Sequence, residues 1–167
     1  MSSVAVRPGH AHEASLLSDL ALRSKGHWGY DQAFLDACRD ELTLTPAEVR
    51  AKRTIVAERD GRVVGFYTLA GDPPVASLDH LFVEPGEIGT GVGRTLWRHA
   101  VAAAQSLGFT RMEIEADPDA EAFYLAMGAR RRGTASSGSI PGRELPLLEY
   151  DFALPEASAP VPGPAGR

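Results

Sequence analysis

The sequence contains a single cysteine, Cys38, among 167 residues. One cysteine cannot form an internal disulfide, and its place in the helical-looking run DQAFLDAC predicts burial as a small apolar side chain rather than a catalytic thiol. Long apolar runs are missing too, since no stretch approaches the roughly 18 residues that a membrane span needs. The first residues, MSSVAVRPGHAHE, lack the apolar region of a secretory signal. We therefore expect a cytoplasmic protein without membrane contacts.

An excess of positive charge is also missing, because the formal net charge is -5. Nonspecific affinity for nucleic acid or an anionic membrane comes chiefly from Lys and Arg side chains that neutralise phosphates. We expect no nucleic-acid partner. Any ligand that carries phosphate must be held by a local site.

The composition, with 44% hydrophobic and 23% charged residues, is ordinary for one globular domain. The last residues from Pro155, PEASAPVPGPAGR, hold four prolines and little that could be buried. We expect a single domain over residues 1–154 and a flexible proline-rich tail over residues 155–167.

Apolar periodicity predicts a strand, helices, three strands, a helix, a strand, a helix and two strands. The Asp60-Gly61 pair between two β-branched runs is the best hairpin signal. The order indicates a mixed α/β sheet of about seven strands with helices packed on it, not a regular βαβ alternation. The predicted strands are Val4–Arg7, Thr54–Glu58, Val63–Ala70, Val75–Val83, Arg111–Ala116, Ala129–Thr134 and Leu145–Phe152, and the long helix is Gly91–Leu107.

The segment IGTGVGRT, residues 88–95, follows a strand and leads directly into the long helix. Glycines let backbone N–H groups turn outward together, and the helix N-terminus adds partial positive charge. The segment predicts an anion site suited to a pyrophosphate, although such glycines are also typical of a tight turn. It lacks the Lys-Ser or Lys-Thr of a P-loop, and its alternate glycines do not match the Gly-x-Gly-x-x-Gly of the dinucleotide fingerprint.

Two motifs together resemble the GNAT superfamily of acyl-CoA N-acyltransferases. They are LFVEP at residues 81–85, continued by GTGVGR at residues 89–94, and AEAFYLAMGA at residues 120–129. The resemblance covers the order of elements from Val4 to Phe152, and the motifs lie within Asp79–Ala129. The SKGHWGYD loop and the later SGSIPGRELPLLEYDF segment are similar to a bacterial branch of the family. The resemblance implies a mostly antiparallel sheet with helices on both faces and splayed central strands.

The same resemblance implies acetyl-CoA as cosubstrate, no metal, and direct transfer of the acetyl group to a primary amine. Ile88 stands where the family usually has Arg or Gln, and Asp117 where it usually has Asn; Asp117 could equally be only a helix cap. Arg94 is favoured as a phosphate ligand, whereas Arg98 and the Arg130–Arg132 run are left open. The residues implied to bind the coenzyme are Leu81, Phe82, Val83, Ile88, Gly89, Thr90, Gly91, Val92, Gly93, Arg94, Thr95, Asp117, Ala120 and Phe123.

The resemblance implies that the hydroxyl of Tyr124 protonates or stabilises the departing thiolate. Without the resemblance, Tyr124 would be interpreted as a core ring with a polar tip. The attacking amine must first lose a proton, because an alkyl amine has a pKa of about 10.4. Asp79 is the favoured base, directly or through a water, because strand alternation places it on the face of Leu81 and Val83. His80, on the opposite face, is the alternative base, and a purely structural role for Asp79 is equally open.

His27, Trp28 and Tyr30 lie in the loop between the first two helices, where the family commonly builds its acceptor pocket. These rings either hold a ligand or pin the loop. We expect a small-molecule or peptide amine as acceptor, and a homodimer is left open. A non-catalytic acetyl-CoA-binding sensor is the alternative function. A hydrolase is disfavoured, because the sequence has no Gly-x-Ser-x-Gly elbow.

Overall fold

The β-branched and aromatic runs of the chain form one seven-stranded sheet in the computed structural model, which describes residues 2–152. The end of the predicted domain and the predicted tail from Pro155 lie outside the described residues. The strand order is β1-β2-β3-β4-β5-β7-β6, and the β4–β5 pair is parallel whereas the other five neighbouring pairs are antiparallel. The strands are β1 Ala5–Pro8, β2 Ile55–Arg59, β3 Arg62–Ala70, β4 Val75–Val83, β5 Arg111–Glu115, β6 Arg130–Ser136 and β7 Glu144–Asp151. The predicted mixed, mostly antiparallel sheet is confirmed.

Five α-helices cover the two faces of the sheet within the described part of the chain. One face carries an apolar cluster that includes Leu17, Val49 and Phe66, and the other a larger cluster that includes Leu96 and Met112. The helices are α1 Ala14–Gly26, α2 Gln32–Leu42, α3 Pro46–Ala51, α4 Val92–Ser106 and α5 Glu121–Ala126. None of the helices within residues 2–152 combines the length and the apolar character that crossing a membrane requires.

Helix α4 buries a stripe of side chains at four-residue intervals, namely Val92, Leu96, Ala100 and Ala104. Leu107, three residues after Ala104, does not continue this stripe and is 47% exposed. Leu107 is the C-cap residue, and the chain turns away at Gly108, which has a φ of 91°. The helix ends before the stripe reaches Leu107, so the side chain leaves the core.

Strands β4 and β5 are paired only at their beginnings, where Val75 to Ser77 oppose Arg111 to Glu113. Beyond that point β4 continues to Val83, while β5 continues only to Glu115 and pairs with β7. The second half of β4 therefore has its ladder partner on the β3 side alone. This separation is the splayed arrangement that the resemblance implied.

A β-bulge at Asp79 changes which face the side chains of β4 occupy. Thr68 opposes His80 and Leu69 opposes Leu78, so Asp79 has no opposite residue on β3. Before the bulge, Leu78 packs in the larger apolar cluster, which contains Leu96 of α4. After the bulge, Leu81 and Val83 pack against the same cluster. The simple alternation that put Asp79 on the face of Leu81 was wrong, because a bulge inserts one extra residue into the pleat.

At Gly65, strand β3 lies close to both β4 and α4. A Cβ at this position would lie 2.9 Å from the Phe82 carbonyl oxygen and 3.0 Å from side-chain atoms of Leu96 and Val92. We expect Gly65→Ala to lower the free energy of unfolding by roughly 1–3 kcal/mol, because overpacking forces backbone to move. Gly86→Ala is the matched control, since a Cβ there meets no atom within 4 Å. Urea denaturation measures both, and equal stability of the two variants would contradict the packing described.

Candidate functional site

The turn between β4 and α4 is held in shape by two glycines and two ion pairs. Gly89 and Gly91 have φ values of 86° and 97°, a backbone region that favours glycine. Arg23 of α1 pairs with Glu84 through contacts of 2.9 and 2.8 Å, and Arg59 of β2 pairs with Glu87 at 3.1 Å. The start of the turn is therefore tied to the first helix and to the sheet.

The same turn presents backbone donors without carbonyl acceptors. Within residues 2–152, no hydrogen bond is made by the backbone N–H groups of Gly89, Gly91, Val92, Gly93 or Arg94. Such a run of donors at the N-terminus of a 15-residue helix attracts anions, because the helix dipole adds to the N–H dipoles. This geometry suits an anion, and the binding of a pyrophosphate group at this turn stays a prediction.

A cavity of about 550 Å³, here called the glycine-loop cleft, opens beside this turn. Its walls come from the second half of β4, the glycine turn, the end of α1 and the start of α5, and they are mainly apolar. Of the residues predicted to bind a coenzyme, the cleft is lined by Leu81, Phe82, Val83, Ile88, Gly89, Gly91, Gly93, Arg94, Asp117, Ala120 and Phe123.

Three residues predicted in the same set lie outside the walls of the cleft. Val92 is fully buried in the core, the Thr90 hydroxyl donates to the Glu87 carbonyl at 2.7 Å, and the Thr95 N–H donates to Gly91. These contacts shape the turn. The free backbone N–H of Val92 still belongs to the run of donors described above.

A second cavity of about 320 Å³, here called the acidic cavity, is lined by residues of both β4 and β5. Four carboxylates and two lysines line it: Glu41, Asp79, Glu115, Asp117, Lys25 and Lys52. The two cavities meet, because six residues line both: Lys25, Leu81, Phe82, Asp117, Ala120 and Tyr124.

Tyr124 stands at this junction. Its side chain is 6% exposed, and burial raises the pKa of its hydroxyl above the ordinary value, so the proton is retained at neutral pH. Within residues 2–152 the hydroxyl makes no hydrogen bond. Because Tyr124 lines both cavities, its hydroxyl is available to a ligand in either one.

The two candidate bases have different surroundings. Asp79 is exposed to the acidic cavity, where its carboxylate lies 3.2 Å from the Lys52 ammonium and accepts from the Ser77 hydroxyl at 2.5 Å. His80 is 6% exposed, and its Nδ1 is 2.7 Å from the Thr68 hydroxyl oxygen. Burial, followed by the nearby Lys52 charge, lowers the pKa of His80 to about 4. The imidazole is therefore neutral at physiological pH and a weak acceptor of protons.

Asp117 is the centre of a polar network that joins three loops. It accepts from the Lys25 ammonium at 2.5 Å and from the Tyr30 hydroxyl at 3.0 Å, and its oxygen also caps the following turn at the Asp119 N–H. Arg143, from the β6–β7 loop, donates to Tyr30 at 2.9 Å. Burial opposes ionisation of Asp117, but these donors outweigh it and lower the pKa of the carboxyl.

The three aromatic residues predicted for an acceptor pocket have separate positions. Trp28 lines the glycine-loop cleft and is 42% exposed. Tyr30 pins the loop through Asp117 and stacks on Phe34, whereas His27 is exposed and lines neither cavity. Sequence reasoning missed Lys25, Lys52, Glu41 and Glu115, because no local pattern marks residues that meet only across the sheet.

The chain belongs to the acetyltransferase (GNAT) family, whose pattern it matches over residues 15–129. It is 37% identical over 97 residues to peptidyl-lysine N-acetyltransferase YjaB of Escherichia coli, covering 58% of this chain and 60% of YjaB. It is 36% identical over 112 residues to the L-2,4-diaminobutyric acid acetyltransferase of Nocardia farcinica, covering 60% of this chain and 58% of that protein. The matches thus span about three fifths of these relatives.

The fold is similar to that of PaiA N-acetyltransferase from Thermoplasma acidophilum, crystallised in complex with coenzyme A. The TM-score is 0.74 at 16% sequence identity, and the match covers 90% of this chain and 99% of that one.

The buried neutral His80 makes the stability of the protein depend on pH. Its pKa of about 4 lies below the unfolded value of 6.5, so the unfolded state binds more protons between these limits. We expect the free energy of unfolding to fall as pH decreases from 6.5 to 4, with a contribution from His80 on the order of 2–3 kcal/mol. His80→Gln should flatten this part of the profile, measured by urea denaturation at a series of pH values.

The exposed His12 provides the control, since His12→Gln should leave the profile unchanged. A wild-type slope that survives in His80→Gln would show that another group carries it.

Proposed function

We propose that this protein is an N-acetyltransferase that moves an acetyl group from acetyl-CoA directly to a primary amine of its acceptor. The observation that carries the proposal is the meeting of two cavities at Tyr124. One has a run of free backbone donors for phosphates, and the other has titratable side chains for an amine. Family membership and the names of the relatives, which are acetyltransferases acting on amines, support the same reaction.

The residues of the glycine-loop cleft fit coenzyme A. The backbone N–H groups of the turn would hold the diphosphate, with Arg94 beside them. Leu81, Val83 and Phe123 form an apolar wall suited to the pantetheine arm, and the unpaired edge of β4 offers it backbone hydrogen-bond partners. When bound, acetyl-CoA supplies an acetyl group activated as a thioester. A backbone N–H in the second half of β4 would polarise its carbonyl.

The acceptor amine must lose its proton before it can attack, and Asp79 is the residue that we propose for this step. Its carboxylate is exposed to the acidic cavity, whereas His80 is buried, hydrogen-bonded and weakly basic. Lys52 and Ser77 fix the orientation of Asp79. A water bound to Asp79 could carry the proton if the amine does not reach the carboxylate directly.

We propose that Tyr124 gives its hydroxyl proton to the sulfur as the thiolate departs. The hydroxyl is protonated at neutral pH and has no competing hydrogen bond within residues 2–152, and Tyr124 lines both cavities. Acetyl-CoA as a small phosphate-bearing cosubstrate and a single cysteine also agree with a cytoplasmic location, which we propose as well.

A substitution in the glycine turn tests where coenzyme A binds. Coenzyme A should raise the melting temperature, because a ligand of the native state stabilises it by mass action. We expect Gly91→Val to abolish this shift, since a β-branched residue cannot keep the φ of 97° that aims the N–H groups. Differential scanning fluorimetry with and without coenzyme A measures the effect.

Gly108→Val is the matched control, because Gly108 has a similar φ of 91° at the far end of α4. Its strain should lower the melting temperature of the free protein but preserve the shift. An intact shift in folded Gly91→Val would place the coenzyme elsewhere.

The catalytic roles are separated by the pH dependence of two variants. We expect Tyr124→Phe to lower turnover by ~10²–10⁴ at every pH, because the ring remains and only the proton donor is lost. Asp79→Asn should be slowest near neutral pH and recover partly at higher pH, where free amine becomes abundant. Thiol release against pH measures both, and the coenzyme-induced melting shift checks that binding is kept.

Full activity in Tyr124→Phe would refute the acid assignment. A wild-type profile in Asp79→Asn would leave deprotonation to His80 or to water alone. A protein that binds acetyl-CoA but transfers its acetyl group to no amine would be a sensor.

A further inference from the structure

We infer that the acceptor is a small di- or polyamine, whose second ammonium group is held by Glu41 and Glu115 in the acidic cavity. The inference rests on the proposed function and specifies its substrate class. It follows from which charges of the cavity are already neutralised inside the protein and which are left for a ligand.

The two lysines of the acidic cavity are Lys25 and Lys52, and they are the only lysines in the sequence. Each is already paired with a carboxylate of the same cavity. Lys25 lies 2.5 Å from Asp117, and Lys52 lies 3.2 Å from Asp79. Neither ammonium group is therefore left to attract an anionic acceptor.

Glu41 and Glu115 are the two remaining carboxylates of the cavity lining. Within residues 2–152 neither forms an ion pair or a side-chain hydrogen bond, and both are exposed. The cavity thus keeps an excess of two negative charges over its lysines. His80, the other titratable residue there that could offset them, is neutral above pH 4.

These carboxylates come from different walls of the cavity. Glu41 is next to last in α2, and a Cβ on Gly138 of the β6–β7 loop would lie 3.1 Å from its Oε2. Glu115 is the last residue of β5, two positions before Asp117. A ligand between them is also bordered by Tyr124, which lines the cavity, is 6% exposed and makes no side-chain hydrogen bond in the described residues.

The chemistry of transfer explains why two amines suit such a cavity. The reacting nitrogen has to be neutral when it attacks, so nearby carboxylates do not attract it electrostatically at that moment. A second amine remains an ammonium ion at neutral pH and is attracted by the unpaired carboxylates. A volume of about 320 Å³ is at the lower end for a small-molecule site, which suits a short flexible diamine.

The test compares three acceptors of equal chain length: putrescine, butylamine and γ-aminobutyrate. They place an ammonium group, a methyl group or a carboxylate at the far end. We expect kcat/KM for putrescine to exceed that for butylamine by roughly three- to tenfold beyond the twofold statistical factor, with γ-aminobutyrate the poorest acceptor. Glu41→Gln and Glu115→Gln should each remove most of this preference, measured as the ratio of the two kcat/KM values.

Glu144→Gln is the control, because Glu144 is exposed on β7, lines neither cavity and has no ion pair in the described residues. A second readout is the melting shift that each amine adds to the coenzyme-bound protein. It should be larger for putrescine than for butylamine, and this difference should depend on Glu41 and Glu115.

The two readouts distinguish failure of the inference from failure of the proposed function. Equal use of butylamine and putrescine, or preference for a lysine peptide, overturns the diamine site but keeps the acetyltransferase. If no amine is acetylated although coenzyme A binds, the proposed function fails. The melting shifts then still decide: a glutamate-dependent shift with putrescine supports the diamine site, and its absence overturns it.

Discussion

Strands β4 and β5 are paired over only three residues of β4, and the whole site depends on their separation. A parallel pair that diverges leaves one edge of β4 without a ladder partner in the interior of the sheet, where unpaired backbone groups are unfavourable. The glycine-loop cleft and the acidic cavity share six lining residues, and two of these, Leu81 and Phe82, lie in the second half of β4. The bulge at Asp79 adds to the opening, because it turns Asp79 out of the pleat and into the acidic cavity.

The electrostatics of the gap follow from which charges are buried in pairs. Lys25 and Asp117 are 13% and 12% exposed, so their ion pair is largely removed from solvent. Burial of a charge is unfavourable unless it is paired and hydrogen-bonded, which the Tyr30 hydroxyl and the Asp119 N–H provide. The pair also joins the end of α1 to the loop before α5. The positions of these two segments and the charge at the junction of the cavities therefore depend on the same ion pair.

Local chemistry explains which parts of the fold were predictable. Asp31 and Thr45 cap α2 and α3, as is typical of Asp and Thr before a helix, and β4 has the predicted bounds Val75–Val83. These features depend on residues a few positions apart. The face of Asp79 was wrong because a bulge depends on how β3 and β4 fit together, which strand periodicity alone does not encode.

The sequence by itself determined the order of elements, the glycine turn and the position of Tyr124 on the short helix after β5, because each depends on neighbours along the chain. Only the tertiary structure decided the composition of the acidic cavity. Lys25 and Asp117 are 92 residues apart, and Lys52 and Asp79 are brought together from different elements. Ion pairs of this kind form when helices and loops pack around the β4–β5 gap, and no local periodicity or motif marks the residues that take part.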